Sequence, residues 1–378
     1  MKRISKLHLS CFFLSWFLLC AGCQTAEPSR SFDHDGRRII AYWHNWNSLS
    51  VPYIPLREVP PAVNTLILAF ALPMDEGSTR MNFVPEVVEE GAFEKELKAL
   101  QNRGTDVLIS VGGGNHPIEL DTPKMTLDFL VSMKRLIDRY GFDGLDINFE
   151  GSSKVLDDGD LDFRNPTTPK ILNLIKVVKS LKATYGSDFL ITVAPETQFT
   201  VSGYHKYGGA FGGYLPLLHA LRDEIDVVNL QLYNSGTQYV YTGTVLGSED
   251  PIVAQGTPDF VVGLTEMMIM GFPVGRDEDQ FFPGMGAEKI AVGLPASELS
   301  ASGGVLSYRE LRLALGYLMT GKANYDSDLV LRTREGYPDL KGIMTWSINW
   351  DRVPGPGRPP FAFVEGAQEI IETLTPLK

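Results

Sequence analysis

Phe142-Asp143-Gly144-Leu145-Asp146-Ile147-Asn148-Phe149-Glu150 reads as a β-strand with acids along one face and a glutamate at its end. Side chains alternate faces along a strand with period two. Asp146, Asn148 and Glu150 therefore point one way, and Leu145, Ile147 and Phe149 pack the other way. A buried strand seldom lines a face with carboxylates, because unpaired buried charge is costly. Acids in register suit cleavage of a glycosidic bond, in which one group donates a proton to the leaving oxygen. A solvated strand face or an acidic turn could carry the same residues, so the strand has to be read with its neighbours.

Those neighbours repeat a simple alternation of apolar, strand-like runs with helical stretches, the signature of βα units around a parallel sheet. Strands are expected at Arg38–Trp43, Thr65–Ala71, Asp106–Val111, Gly144–Glu150, Phe189–Ala194, Asp226–Leu232, Lys289–Gly293 and Gly342–Trp346. Phe93–Arg103, Thr126–Tyr140 and Lys170–Tyr185 carry helical spacing of apolar residues. The order points to a single-domain (β/α)8 TIM barrel, with its active groups at the C-terminal strand ends. A doubly wound open sheet would produce the same alternation. No internal repeat or low-complexity tract is evident.

The N-terminus sets the compartment. Lys2, Arg3 and Lys6 precede the apolar run Cys11–Leu19, which is too short to span a bilayer and fits a signal-peptide core. The run closes with Leu19-Cys20-Ala21-Gly22-Cys23, which looks like a bacterial lipobox with Cys23 as the acylated residue. Cys20 stands where an aliphatic residue is usual, and ordinary cleavage near Gly22 is the alternative. The expected division is a signal segment over 1–23, a polar tether over 24–36 and a catalytic barrel over 37–378. All three cysteines fall at or before Cys23, so the barrel has no thiol for a disulfide or a Cys metal site. The expected product is exported and membrane-anchored by lipid, or else periplasmic or secreted. Hydrophobic residues make up 44% and the net charge is -12. An isoelectric point near 5.0 and no basic stripe argue against nucleic acid as a partner.

The motifs together resemble glycoside hydrolase family 18, the chitinases and endo-β-N-acetylglucosaminidases. Asp143 to Glu150 is similar to that family's DGxDxDxE strand, Ser110-Val111-Gly112-Gly113 to its SxGG strand, and Gln231-Leu232-Tyr233-Asn234 to the QxYN form of bacterial members. Tyr42-Trp43-His44-Asn45-Trp46, Ala194-Pro195-Glu196 and Gly342 to Asp351 fit the same pattern. The resemblance runs from about Arg38 to Asp351. The stretch between the last two strands is too short for the small α+β insertion of some chitinases, which implies a more open cleft.

By resemblance, Glu150 is the general acid, and the acetamide oxygen of the substrate replaces a protein nucleophile, an exception to the two-carboxylate rule. Tyr233 would hold that acetamide for attack, and Trp346 would form the floor under an N-acetylglucosamine ring. Asp146 would sit deep in the barrel next to Asn148 as a buried acid, while Asp143, of opposite parity, would be a structural partner. Tyr42, Gln231, Asn234 and Glu196 are expected to border the substrate, and Tyr239-Val240-Tyr241 to extend the cleft. The implied ligand is chitin or an N-acetylglucosamine oligosaccharide, bound by a monomer without a cofactor. His44 is the best-placed of the six histidines, yet none shows metal-ligand spacing.

Asn148 departs from the family, which carries Asp at this place. An amide offers hydrogen bonds but no titratable charge. A unit charge about 4 Å away at an effective dielectric near 20 is worth roughly 4 kcal/mol as an upper guide. That is on the order of a thousandfold in rate, so the residues predict a slowed hydrolase rather than an inert one. The two rival expectations are a chitin- or N-glycan-binding protein with little turnover and an endo-acting deglycosylase of glycoproteins.

Overall fold

Eight runs of β-branched and aliphatic residues, buried on both faces, form the parallel strands of a closed barrel in the computed structural model, which describes residues 36–374. The strands are β1 (Arg38–His44), β2 (Thr65–Pro73), β3 (Asp106–Gly112), β4 (Gly144–Asn148), β5 (Leu190–Val193), β6 (Val227–Gln231), β7 (Ile290–Pro295) and β8 (Gly342–Trp346). Each pairs with the next, and β1 pairs with both β2 and β8, so the sheet has no open edge. Closure excludes the doubly wound alternative. The signal segment, Cys23 and all but the last residue of the tether lie outside the described residues.

Two apolar layers hold the barrel. Ile40, Ile67, Leu108, Ala291 and Met344 fill its interior. Leu145, Ile147 and Phe149 belong to the layer between strands and helices, as the alternation in β4 requires. The helices are α1 (Glu90–Asn102), α2 (Pro123–Tyr140), α3 (Pro169–Tyr185), α4 (Leu215–Ala220), α5 (Pro258–Met270), α6 (Tyr308–Thr320), α7 (Ile348–Asp351) and α8 (Ala362–Leu374). α2 shows why they start and stop where they do. Thr122 caps it by accepting from Met125 N–H, Pro123 opens its first turn, and Gly141 at φ 67° ends it. At the base, Asp143 accepts from Val107 N–H at 2.8 Å and from Gln101 Nε2 at 3.0 Å. That contact ties β4 to β3 and α1, far from the top of the barrel.

Register then lines up the site. β3 and β4 pair Ser110 with Asp146 and Gly112 with Asn148, and β5 brings Thr192 opposite Asp146. Gly112 has φ 105°, and a Cβ there would collide with the Asn148 carbonyl. Only glycine permits that approach, and the next N–H, of Gly113, donates to the same carbonyl at 2.7 Å. β4 is shorter than expected. It ends at Asn148, and Glu150 leads into a 3-10 turn over Gly151–Lys154 while keeping an extended backbone. Between β7 and β8 the chain holds α6 and no further sheet strand among the described residues.

Candidate active site

The C-terminal ends of the barrel strands and the loops that follow them enclose a cleft of about 500 Å³. Glu150, Asn148, Gln231, Tyr233, Glu196 and Trp346 all line it. Parity and barrel closure thus bring together residues from four distant stretches of sequence.

Asp146 lies beneath the cleft with no exposure. Its Oδ2 accepts from Tyr42 Oη and Ser110 Oγ, each at 2.7 Å, and its Oδ1 accepts from Thr192 Oγ1 at 2.5 Å. Burial lifts its carboxyl to about 6, against the pull of those donors. Asn148 sits one layer higher. Its Oδ1 accepts from Gln231 Nε2 at 2.9 Å, and Gln231 also donates to the Ala194 carbonyl at 2.7 Å. The Asn148 amide nitrogen is left for Glu150, whose ionised form it favours.

Glu150 has its carboxyl raised to about 7, first by burial and second by the nearby charge of Glu196, while Asn148 and Gln231 oppose the rise. Burial also raises Glu196. A carboxyl poised near neutrality can give a proton and take one back in a single cycle. Tyr233 is buried, and burial with the charges of Glu150 and Glu196 keeps its phenol protonated and able to donate. Behind Tyr233, Gly304 approaches so closely that a Cβ would meet the Tyr233 Cα at 2.7 Å.

Trp346 ends β8 as an aromatic floor. Its ring lies 5.4 Å from Tyr42 and 6.1 Å from Phe70, the latter nearly parallel at 20°. Trp46 continues the wall, stacked on Phe70 at 6.4 Å. Such faces suit the apolar side of a pyranose ring.

Two expectations need correction, those for Tyr42 and for the Tyr239–Tyr241 platform, while Asn234 lines the cleft as expected. Tyr42 does not border the substrate. It is 1% exposed and spends its hydroxyl on Asp146, so it positions the buried acid. Asn234 borders the cleft, and at φ 56° its side-chain oxygen also accepts from the N–H and hydroxyl of Ser302, each at 2.8 Å, which anchors the loop after β7. The Tyr239–Tyr241 platform is absent from the cleft: Tyr239 stacks on His205 at 4.7 Å, and Tyr241 packs inward on Tyr204. Residues that sequence reasoning passed over include Phe70, Trp46, Thr192 and His116. Strand parity in β5 was the signal for Thr192. Phe70 gave none, since alternation sends it away from Ile67 and Ala69, which face the barrel interior. Among the described residues, no group of His, Cys, Asp or Glu could hold a metal ion.

Comparison with known proteins agrees with this geometry. The family model described as glycosyl hydrolases family 18 matches residues 38–303. Over 313 residues the chain is 44% identical to chitinase Chi52 of Paenibacillus xylanexedens, covering 83% of this chain and 58% of that one. It is 45% identical over 314 residues to chitinase D of Niallia circulans, again covering 83% and 58%. The chain thus spans less than two thirds of either relative. The crystal structure of a family GH18 chitinase from Chromobacterium violaceum superposes with a TM-score of 0.77 at 31% identity, over 89% of this chain and 84% of that one. A closed barrel, an acid at the end of β4 and this match over most of the barrel make one conclusion: the chain belongs to glycosyl hydrolase family 18.

Proposed function

We propose that the protein hydrolyses β-1,4 bonds between N-acetylglucosamine units of chitin or chitooligosaccharides, with retention of configuration. The observation that carries the reading is Glu150, a carboxyl raised to about 7 in the same cleft as Tyr233 and Trp346. Two relatives at 44% and 45% identity are chitinases, which supports the substrate class.

The sugar ring rests on Trp346 with its 2-acetamido group toward Tyr233. Protonated Glu150 gives its proton to the glycosidic oxygen as the bond from that oxygen to C1 breaks. The acetamide oxygen forms the new bond to C1 from the opposite face, and the product is a cyclic oxazolinium ion. Ionised Glu150 then takes a proton from water, whose oxygen attacks C1 and reopens the ring. Two inversions leave the β configuration. Tyr233 donates to the acetamide oxygen and holds it in line, a positioning contribution. The cationic intermediate has only the Asn148 amide where a carboxylate would face it, so turnover is slowed rather than lost.

We further propose that Cys23 carries a thioether-linked lipid that holds the exported enzyme, as a monomer, at a bacterial membrane. Incubation with chitotetraose and, separately, with a high-mannose glycoprotein tests the substrate. Shorter oligomers from the first alone are expected. Release of glycan from the second alone would replace the reading with that of a deglycosylase, and binding without products would leave a lectin-like protein.

A further inference from the structure

His44 ends β1 directly behind the aromatic wall of the cleft. Its side chain is enclosed, at 1% exposure, and neither ring nitrogen has a hydrogen-bond partner among the described residues. Its faces, by contrast, are fully engaged. The imidazole lies 4.3 Å from the Trp46 ring, nearly parallel at 10°, and 4.8 Å from Trp346 at 42°. The backbone beneath is pinned, because His44 N–H donates to Asn349 Oδ1 at 2.8 Å.

A buried polar group without partners costs stability, so its presence calls for an account. Hydrogen bonding does not supply one here. Proton transfer does not either, since burial lowers the imidazole to about 3 and keeps it neutral. What both neighbours use is a flat ring. A flat ring stacks parallel on Trp46 while its tilted contact holds Trp346. Trp46 and Trp346 both line the cleft.

We infer that His44 is a positioning residue that sets the spacing and tilt of Trp46 and Trp346, and through them the seat of the sugar ring. The inference rests on the reading of the cleft as an N-acetylglucosamine site. It assigns His44 no chemistry at the reacting atoms. Loss of the flat ring should weaken substrate binding much more than turnover of bound substrate.

Two apolar variants separate shape from chemistry and avoid an empty cavity. His44→Leu fills the space without a plane, whereas His44→Phe keeps the plane. On chitotetraose, His44→Leu should raise KM about tenfold with kcat within about threefold, a loss of uniform binding. His44→Phe should keep KM within about threefold, and neither should shift the limbs of the pH–rate profile. Acrylamide quenching of tryptophan fluorescence should increase in His44→Leu and not in His44→Phe. An unchanged KM and unchanged quenching in His44→Leu would overturn the inference. Equal damage in both variants would overturn it too, because it would assign the role to the ring nitrogens. If the wild type neither bound nor cleaved chitotetraose, the proposed function would fail, and the quenching comparison would still decide the place of His44.

Discussion

Replacing Asn148 with aspartate asks what the missing charge is worth. In the wild type the Asn148 oxygen accepts from Gln231 at 2.9 Å, and the amide nitrogen faces Glu150 and favours its ionised form. In Asn148→Asp the introduced carboxylate keeps the Gln231 bond through one oxygen and turns the other, negative, toward Glu150 and the site of the oxazolinium. Loss of the donor and gain of the charge both disfavour ionisation of Glu150, so its pKa must rise from about 7. A unit charge near 4 Å at an effective dielectric of about 20 bounds the effect at roughly 4 kcal/mol, or about three pKa units. Asp146 tempers this. It lies two residues away with its own carboxyl lifted to about 6, and the two acids would share a proton over part of the range. The expected outcome is a tenfold or greater rise in kcat with the basic limb of the profile moved up by at least about one pH unit. The assay is kcat across about pH 4 to 10 on a chromogenic chitobioside, with both forms side by side. An unimproved kcat would refute the reasoning, and would mean that the network has adapted to the amide, with Asp146 supplying the charge.

Other outcomes follow from the same structure. Glu150→Gln should abolish hydrolysis of N-acetylglucosamine oligomers yet leave binding measurable by calorimetry, and Tyr233→Phe should lose less, in rate more than in binding; normal turnover by Glu150→Gln would remove the assigned acid. Labelled palmitate should enter the wild type and vanish in Cys23→Ser, whereas equal labelling of both would end the anchor claim. The neutral His44 ring makes acid costly: with about 3 in the folded chain against an ordinary 6.5, the unfolded chain binds the proton first as pH falls. Its stability contribution is therefore complete above about pH 6.5 and is lost toward pH 3, a change on the order of 4–5 kcal/mol. Thermal melts of wild type and His44→Phe should diverge on acidification from pH 7 to about 4, the wild type falling faster. Parallel curves would contradict that.

The barrel could be read from the chain because each strand is buried on both faces and therefore spells a continuous apolar run. The β4 motif was readable for a second reason: its period-two alternation sends Asp146, Asn148 and Glu150 to one face whatever encloses them. What could not be read is whatever depends on closure. The Tyr42 hydroxyl reaches Asp146 only because the barrel brings β1 across from β4, which no local pattern reports. The mutual influence of Glu150 and Glu196 arises between strand ends 46 positions apart in sequence, and so does not show in either motif alone. Tyr239 and Tyr241 looked like a platform by residue type, but Tyr239 is paired with Ile252 in a short antiparallel ladder and Tyr241 packs inward on Tyr204. Phe70 joins the wall where the register of β2 against β3 shifts between Leu68 and Ala71, an irregularity that breaks the alternation and has no compositional signature.

The most direct test of the account is the anomeric form of the first product. Proton NMR of chitotetraose within minutes of mixing with the wild-type enzyme, before mutarotation, reads it unambiguously. Attack by the acetamide oxygen followed by water predicts the β-anomer at the newly formed reducing end. An initial α-anomer would mean direct displacement by water with Glu150 and Glu196 as an acid–base pair, and would contradict the substrate-assisted mechanism.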